Sequence, residues 1–180
     1  MAVRDDFSAG EVLAAADLND TFASKLDASA PVGKILQVVS GGRTTPFTTT
    51  STSFVDVTDV SVSITPSAAT SKIFIILTGV IANNNSGTIS LVNLVRDSTA
   101  IAQSTGGASA DQSLAVYTAN ASSNSGFAVH WLDSPATTSA TTYKAQLRIP
   151  TGSATASLGR YASSGNYPTP TTLTVMEVGA

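Results

Sequence analysis

The sequence predicts a mainly β protein: an antiparallel, jelly-roll-like β sandwich preceded by one short N-terminal helix. Three observations lead there. Ser and Thr number 25 each, 50 of 180 residues, and they alternate with Val, Ile, Leu and aromatic residues instead of clustering as in a disordered stalk. About nine runs with strand character follow one another at short intervals, separated by turn residues. Apolar residues recur at helical spacing in one place only, near the N-terminus.

That place is "FSAGEVLAAADLNDTF", Phe7 to Phe22. Ser8 and Glu11 fit a capping box, with Phe7 and Val12 flanking it as a hydrophobic staple. Gly10 would fall in the first turn, so a start near Ala14 competes with one at Ser8. Either start leaves Leu18, Phe22 and Leu26 on one narrow stripe. A helix this short does not hold alone in water and needs a surface to dock on. That surface is either the β domain of its own chain or another molecule, a symmetry mate or a host structure. "DASAPVG", Asp27 to Gly33, has hinge composition and divides an N-terminal segment, 1–32, from a β domain, 33–180.

The predicted strands are 34–40, 53–65, 72–82, 88–97, 112–119, 126–133, 142–150, 154–161 and 171–178. "TTYKAQLRIP" shows the alternation most clearly: Tyr143, Ala145, Leu147 and Ile149 face inward, and Lys144, Gln146 and Arg148 face water. In the second strand the inward parity changes between Val57 and Val60, which predicts a bulge around Thr58 and Asp59. "TPSAATS", "NNNSG" and "SSGNYPTP" are among the turns.

Two strands are apolar on both sides. "KIFIILTGVI" opposes Ile73, Ile75, Leu77 and Ile81 with Phe74, Ile76 and Val80, and "TISLVNLVRD" opposes Ile89, Leu91 and Val95 with Val92 and Leu94. A sandwich with one wet face per sheet has no use for the second apolar side, so a further cover is expected. Either the N-terminal segment or a neighbouring subunit can supply it; the subunit is favoured, with Phe74, Ile76, Val80, Val92 and Leu94 in the shared core.

The chemistry available is thin. The formal net charge is −3 and charged residues make up 12% of the chain, with nine scattered Lys and Arg, so no basic patch for nucleic acid is expected. The absence of Cys removes thiol catalysis and thiolate metal sites. The N-terminus is not a signal peptide, and the longest apolar run, Ile73 to Ala82, falls far short of the roughly 20 residues of a membrane helix. The single His, His130, has no G-x-S-x-G partner motif and reads as a surface or interface residue. The acids stand mostly alone near strand ends, the pattern of caps and solvating groups. No enzyme activity, cofactor or metal site is expected. Tyr117, Tyr161 and Tyr167 are the aromatic candidates for stacking on a glycan. A carbohydrate-binding module and, less favoured, a sandwich hydrolase are the competing readings.

The chain resembles the small fibre and adhesin-like structural proteins of tailed bacteriophages, particularly of short-tailed and marine or cyanobacterial phages. Three passages carry the resemblance: the opening "FSAGEVLAAADLNDTF"; "GKILQVVS" followed by "TSTSFVDVTDVSVSITPSAATSKIFIIL"; and "WLDSPATTSATTYKAQLRIP" with "TLTVMEV". It implies a virion component, homotrimeric, made in the host cytoplasm. Its N-terminal part would attach to other virion proteins through Phe7, Val12, Leu18, Phe22 and Leu26, and its sandwich would project, with a host surface glycan as a further partner. The chain lacks the long shaft of full tail fibres, which implies a head-fibre, collar or decoration role.

Overall fold

The computed structural model describes residues 33–106, 111–121, 123–160 and 167–179. The predicted helix, with Phe7, Val12, Leu18, Phe22 and Leu26, lies outside the described residues, as does Tyr161. Among the described residues there are eleven strands: β1 Ile35–Arg43, β2 Phe47–Thr49, β3 Val55–Ile64, β4 Lys72–Asn83, β5 Thr88–Arg96, β6 Thr99–Ile101, β7 Leu114–Thr118, β8 Asn124–Asp133, β9 Thr141–Arg148, β10 Ala156–Leu158 and β11 Thr171–Val178. All their pairings are antiparallel. No helix among the described residues is long and apolar enough to cross a membrane.

The strands form two sheets. In the first, β1 pairs β11, β11 pairs β4, and β4 pairs β8, while β10 and β2 continue from the far end of β4. In the second, β3 pairs β9 and β9 pairs β5, and the other edge of β5 is divided between β6 and β7. The inward residues of both sheets meet in one core. Ile73, Ile75, Leu77 and Ile81 of β4 face Val92, Leu94, Ala145 and Leu147 of the second sheet, and each of these is 0% exposed. Where β1 passes β3 the two sheets close tightly. A Cβ on Gly41 would come within 2.8 Å of Val62 Cγ1 and 3.1 Å of the Ser61 carbonyl oxygen, so only glycine fits there.

The predicted bulge is present. The β3–β9 register breaks between Asp56 and Ser61, Asp59 takes a φ of 67°, and Val57 and Val60 are both buried on either side of the irregularity. Arg43 holds it in place: its guanidinium donates to the Thr58 carbonyl at 2.9 Å and to the carbonyls of Thr45 and Pro46 at 2.7 and 3.0 Å. One arginine thus fixes the β3 bulge and the corner between β1 and β2.

The expectation for β5 is corrected. Val92 and Leu94 are each 0% exposed inside the core, and the opposite side of the strand is buried too, with Leu91 at 4% and Val95 at 3%. Leu91 stands beside Arg148 and Val95 beside Lys144, the long side chains of β9. Such side chains lay their methylene stems over apolar neighbours while their charges stay wet. From Leu91 to Val95 the second face of β5 is therefore covered within the chain, with Ile89 at its start 39% exposed, and Val92 and Leu94 have no surface to offer a neighbour.

Candidate functional site

The apolar second face of β4 has a different fate. It lies on the outside of the first sheet, where antiparallel register aligns side chains in rows across four strands. One row is Val38, Met176, Phe74 and Leu132, from β1, β11, β4 and β8 in turn. The next is Ser40, Thr174, Ile76 and His130, and the third is Gly42, Thr172, Thr78 and Ala128. Phe74, Ile76 and Val80 are half-buried, Val38 is 56% exposed and Leu132 53%. The outward positions of these strands carry only two titratable groups, His130 and Lys72, and Lys72 sits at one end, donating to Ser134 Oγ at 2.7 Å.

The hydroxyls of this face bond to one another. Ser40 Oγ and Thr174 Oγ1 are 2.9 Å apart, and Thr78 Oγ1 and Thr172 Oγ1 2.8 Å. A polar group already paired with a neighbour gives up less when water is removed. A large apolar row, an almost charge-free surround and laterally satisfied hydroxyls make the face inexpensive to bury.

The outer face of the second sheet has the opposite chemistry. Lys144 Nζ and Gln146 Nε2 each donate to Asp56 at 2.7 Å, and Arg148 donates to Asp111 at 2.8 Å while stacking 4.8 Å from the Phe54 ring centre. The hydrogen bonds from Lys144 and Gln146 hold the Asp56 carboxyl below the usual range, against a smaller opposing effect of burial.

Two acids read from sequence as solvating groups are instead buried, on either side of Ile73 at one pole of the sandwich. Glu177, 1% exposed, accepts from the Ser67 backbone N–H at 2.7 Å, the Ser67 hydroxyl at 2.5 Å and Gln37 Nε2 at 2.6 Å. Burial alone would raise its pKa, but the bonds from Ser67 and Gln37 prevail and bring it from 4.5 down to about 2. Asp133, 6% exposed, accepts from Arg96 Nη1 at 2.9 and 3.0 Å and from the Tyr143 hydroxyl at 2.7 Å. Burial first, then the bond to Asp133, pushes the Tyr143 phenol up, so it remains a donor. This triad joins β8 of the first sheet to β5 and β9 of the second. Alternation in "TLTVMEV" puts Glu177 on the inward side with Leu173 and Val175, and that parity was the one sequence signal for its burial. Both carboxylates are fully engaged as structural ties.

Of the predicted subunit-contact residues, the structure brings Phe74, Ile76 and Val80 together on one face and places Val92 and Leu94 elsewhere. Val38, Leu132 and Met176 extend the apolar face and were missed, although the parity of their strands carried the signal. Tyr117 on β7 is 63% exposed, opposite Ile89 at 39%, and Tyr167, 68% exposed, precedes β11. They belong to separate elements. Among the described residues no group of three His, Asp or Glu could hold a metal ion. Compared with protein-family models and with curated proteins, the sequence matches none.

Proposed function

We propose that this chain is a non-enzymatic structural protein of a bacteriophage virion, a short fibre or decoration component. It works as a homotrimer, attached through residues 1–32 and projecting its sandwich from the particle. The observation that carries the reading is the outer face of the first sheet, whose apolar row and self-paired hydroxyls suit a surface that spends its life against another protein. The sequence resemblance supplies the phage context. The strand order supports a jelly-roll reading of the sandwich, since the chain alternates between the layers from β3 to β4, β5 to β8 and β9 to β11.

Light scattering on the purified chain tests the assembly. A mass of three chains is expected, and a single 18.2 kDa species at micromolar concentration would sink the reading. Removing residues 1–32 is expected to leave a soluble trimer with a cooperative melt that no longer incorporates into particles. Incorporation of the truncated chain would show that attachment lies elsewhere.

A second reading, a glycan-binding adhesin module, draws on Tyr117, whose exposed ring beside Ile89 offers a sugar a stacking surface on the second sheet. A glycan array read with the native chain and with Tyr117→Ala tests it, and equal signals from the two would remove Tyr117 from recognition.

A further inference from the structure

The first sheet leaves two apolar surfaces that point in different directions. One is the outer face just described. The other is the open seam between the sheets, along the free edge of β8. Trp131 stands opposite Ile75, which is 0% exposed, so parity directs it inward, yet it is 44% exposed. Phe127, on the same flank, is half-buried. Among the described residues β4 is the sole ladder partner of β8, so one row of its backbone N–H and C=O groups has no strand beside it. The opposite seam is closed by the Gly41–Val62 contact.

Natural sheets guard a long free edge with Lys, Pro, an inward charge or a covering element. β8 spans ten residues and contains neither Lys nor Pro, and its single acid, Asp133, is neutralised by Arg96. What could cover such an edge must be almost uncharged, apolar where Trp131 and Phe127 land, and able to bond the free backbone groups beside them. The outer face of the first sheet has these properties in adjacent rows. Val38, Met176 and Phe74 form an apolar strip, and next to it Ser40, Thr174 and His130 supply donors and acceptors. A hydroxyl already bonded on one side keeps further acceptor capacity.

We infer that the β8 edge of one copy packs across the outer face of the first sheet of the next copy, head to tail, and that three copies close the ring. This rests on the trimer reading above and names the two surfaces that meet. A contact between unlike surfaces is heterologous: it repeats from copy to copy until rotation closes it. In a closed ring every copy uses its face once and its edge once, so both apolar surfaces of the first sheet are covered. The charged outer face of the second sheet stays in water.

The chain has no Cys, so introduced thiols are the only ones present. The full-length chain is made with Met176→Cys on the face, with Trp131→Cys on the edge, and with both, and each is treated with a short bismaleimide. Either single change is expected to leave only one-chain bands, and the double variant to shift to two- and three-chain bands, ending at three. Ser125→Cys, a conservative change on the same flank of β8, replaces Trp131→Cys if that variant melts early. A covalent dimer from Met176→Cys alone would mean a twofold, face-to-face contact and would overturn the inference. A folded double variant with the mass of a trimer and no cross-linked bands would overturn it as well, while leaving the trimer standing. A monomeric mass for the unaltered chain would remove the trimer, and this arrangement with it.

Discussion

On the second sheet, Lys144, Gln146 and Arg148 leave β9 on its outward side, and each bonds an acid. On the first sheet the corresponding side of β4 and β11 carries Phe74, Ile76, Thr174 and Met176, and hydroxyls of the face bond sideways to one another, Ser40 with Thr174 and Thr78 with Thr172. The strands of both sheets share one period of two, so periodicity does not distinguish these surfaces. What differs is the partner that each outward side chain has been given. Charges paired with one another at 17 to 56% side-chain exposure still want water around them. Hydroxyls paired with hydroxyls, set beside a row of large apolar groups, do not.

The contrast is broken most severely by placing a charge on the dry face. Ile76→Asp puts a carboxylate between Thr174 and His130, where the proposed neighbouring chain would strip its water, and the expected result is loss of the proposed trimer or of folding altogether. The control is Ala115→Asp, on the exposed outward side of β7 in the second sheet, which should change stability by no more than about 0.5 kcal/mol. Size exclusion with light scattering, alongside thermal melts, reads both. A fully trimeric Ile76→Asp chain with an unchanged melt would place that face in solvent.

Glu177 gives the next largest effect. With its pKa lowered from 4.5 to about 2 in the folded chain, the group contributes stability that is fully present above pH 4.5 and is lost as pH falls towards 2. A shift of this size corresponds to about 3 kcal/mol. Glu177→Gln should lower the melting temperature at neutral pH and flatten its dependence between pH 4.5 and 2. Parallel pH curves for the two proteins would contradict the assignment. The smallest effect is expected at Lys144→Met, which keeps the stem beside Val95 and removes only the charge, because its partner Asp56 is 53% exposed and a screened pair of this kind is worth up to about 1 kcal/mol. Its loss should be smaller still in high salt, and denaturant unfolding at two ionic strengths measures this.

Most of the fold was legible because the strands obey alternation. Every predicted strand has a counterpart, and the parity change at Val57 and Val60 located a real bulge. The two strands missed, β2 and β6, have three residues each, too few for alternation to register. The signal for β6 lay in its turn. Asp97 adopts a φ of 53° and Thr99 pairs back on Arg96, which "RDST" with its Asp-Ser centre permits. The faces were legible only in part. A doubly apolar strand asks for cover on both sides, and β4 and β5 both do so in the sequence. What covers each side depends on neighbours distant in the chain. For β5 these are the stems of Lys144 and Arg148, some 50 residues later, a pairing that no local pattern encodes. The buried acids were read as solvating for the same reason, since their donors Ser67, Gln37, Arg96 and Tyr143 arrive from other strands.

The backbone bonds at the mouth of the sandwich bear on what such a protein displays. The Gly33 N–H donates to the Gly179 carbonyl at 2.9 Å, and the Gly179 N–H to that of Lys34 at 2.8 Å. Residue 33 therefore enters at the pole where β11 ends. The turn at 84–87 lies at the other pole, tied to the segment after β9 by the Thr155 N–H on Asn84 Oδ1 at 2.7 Å. Strands of nine to twelve residues separate the two poles, about 30 Å at the rise of an extended chain. For a protein held through the residues before Gly33, the distal turns are the part that surroundings meet first. If the chain is moored as proposed, a peptide inserted at 84–87 would stand at the end of the sandwich farthest from the attachment.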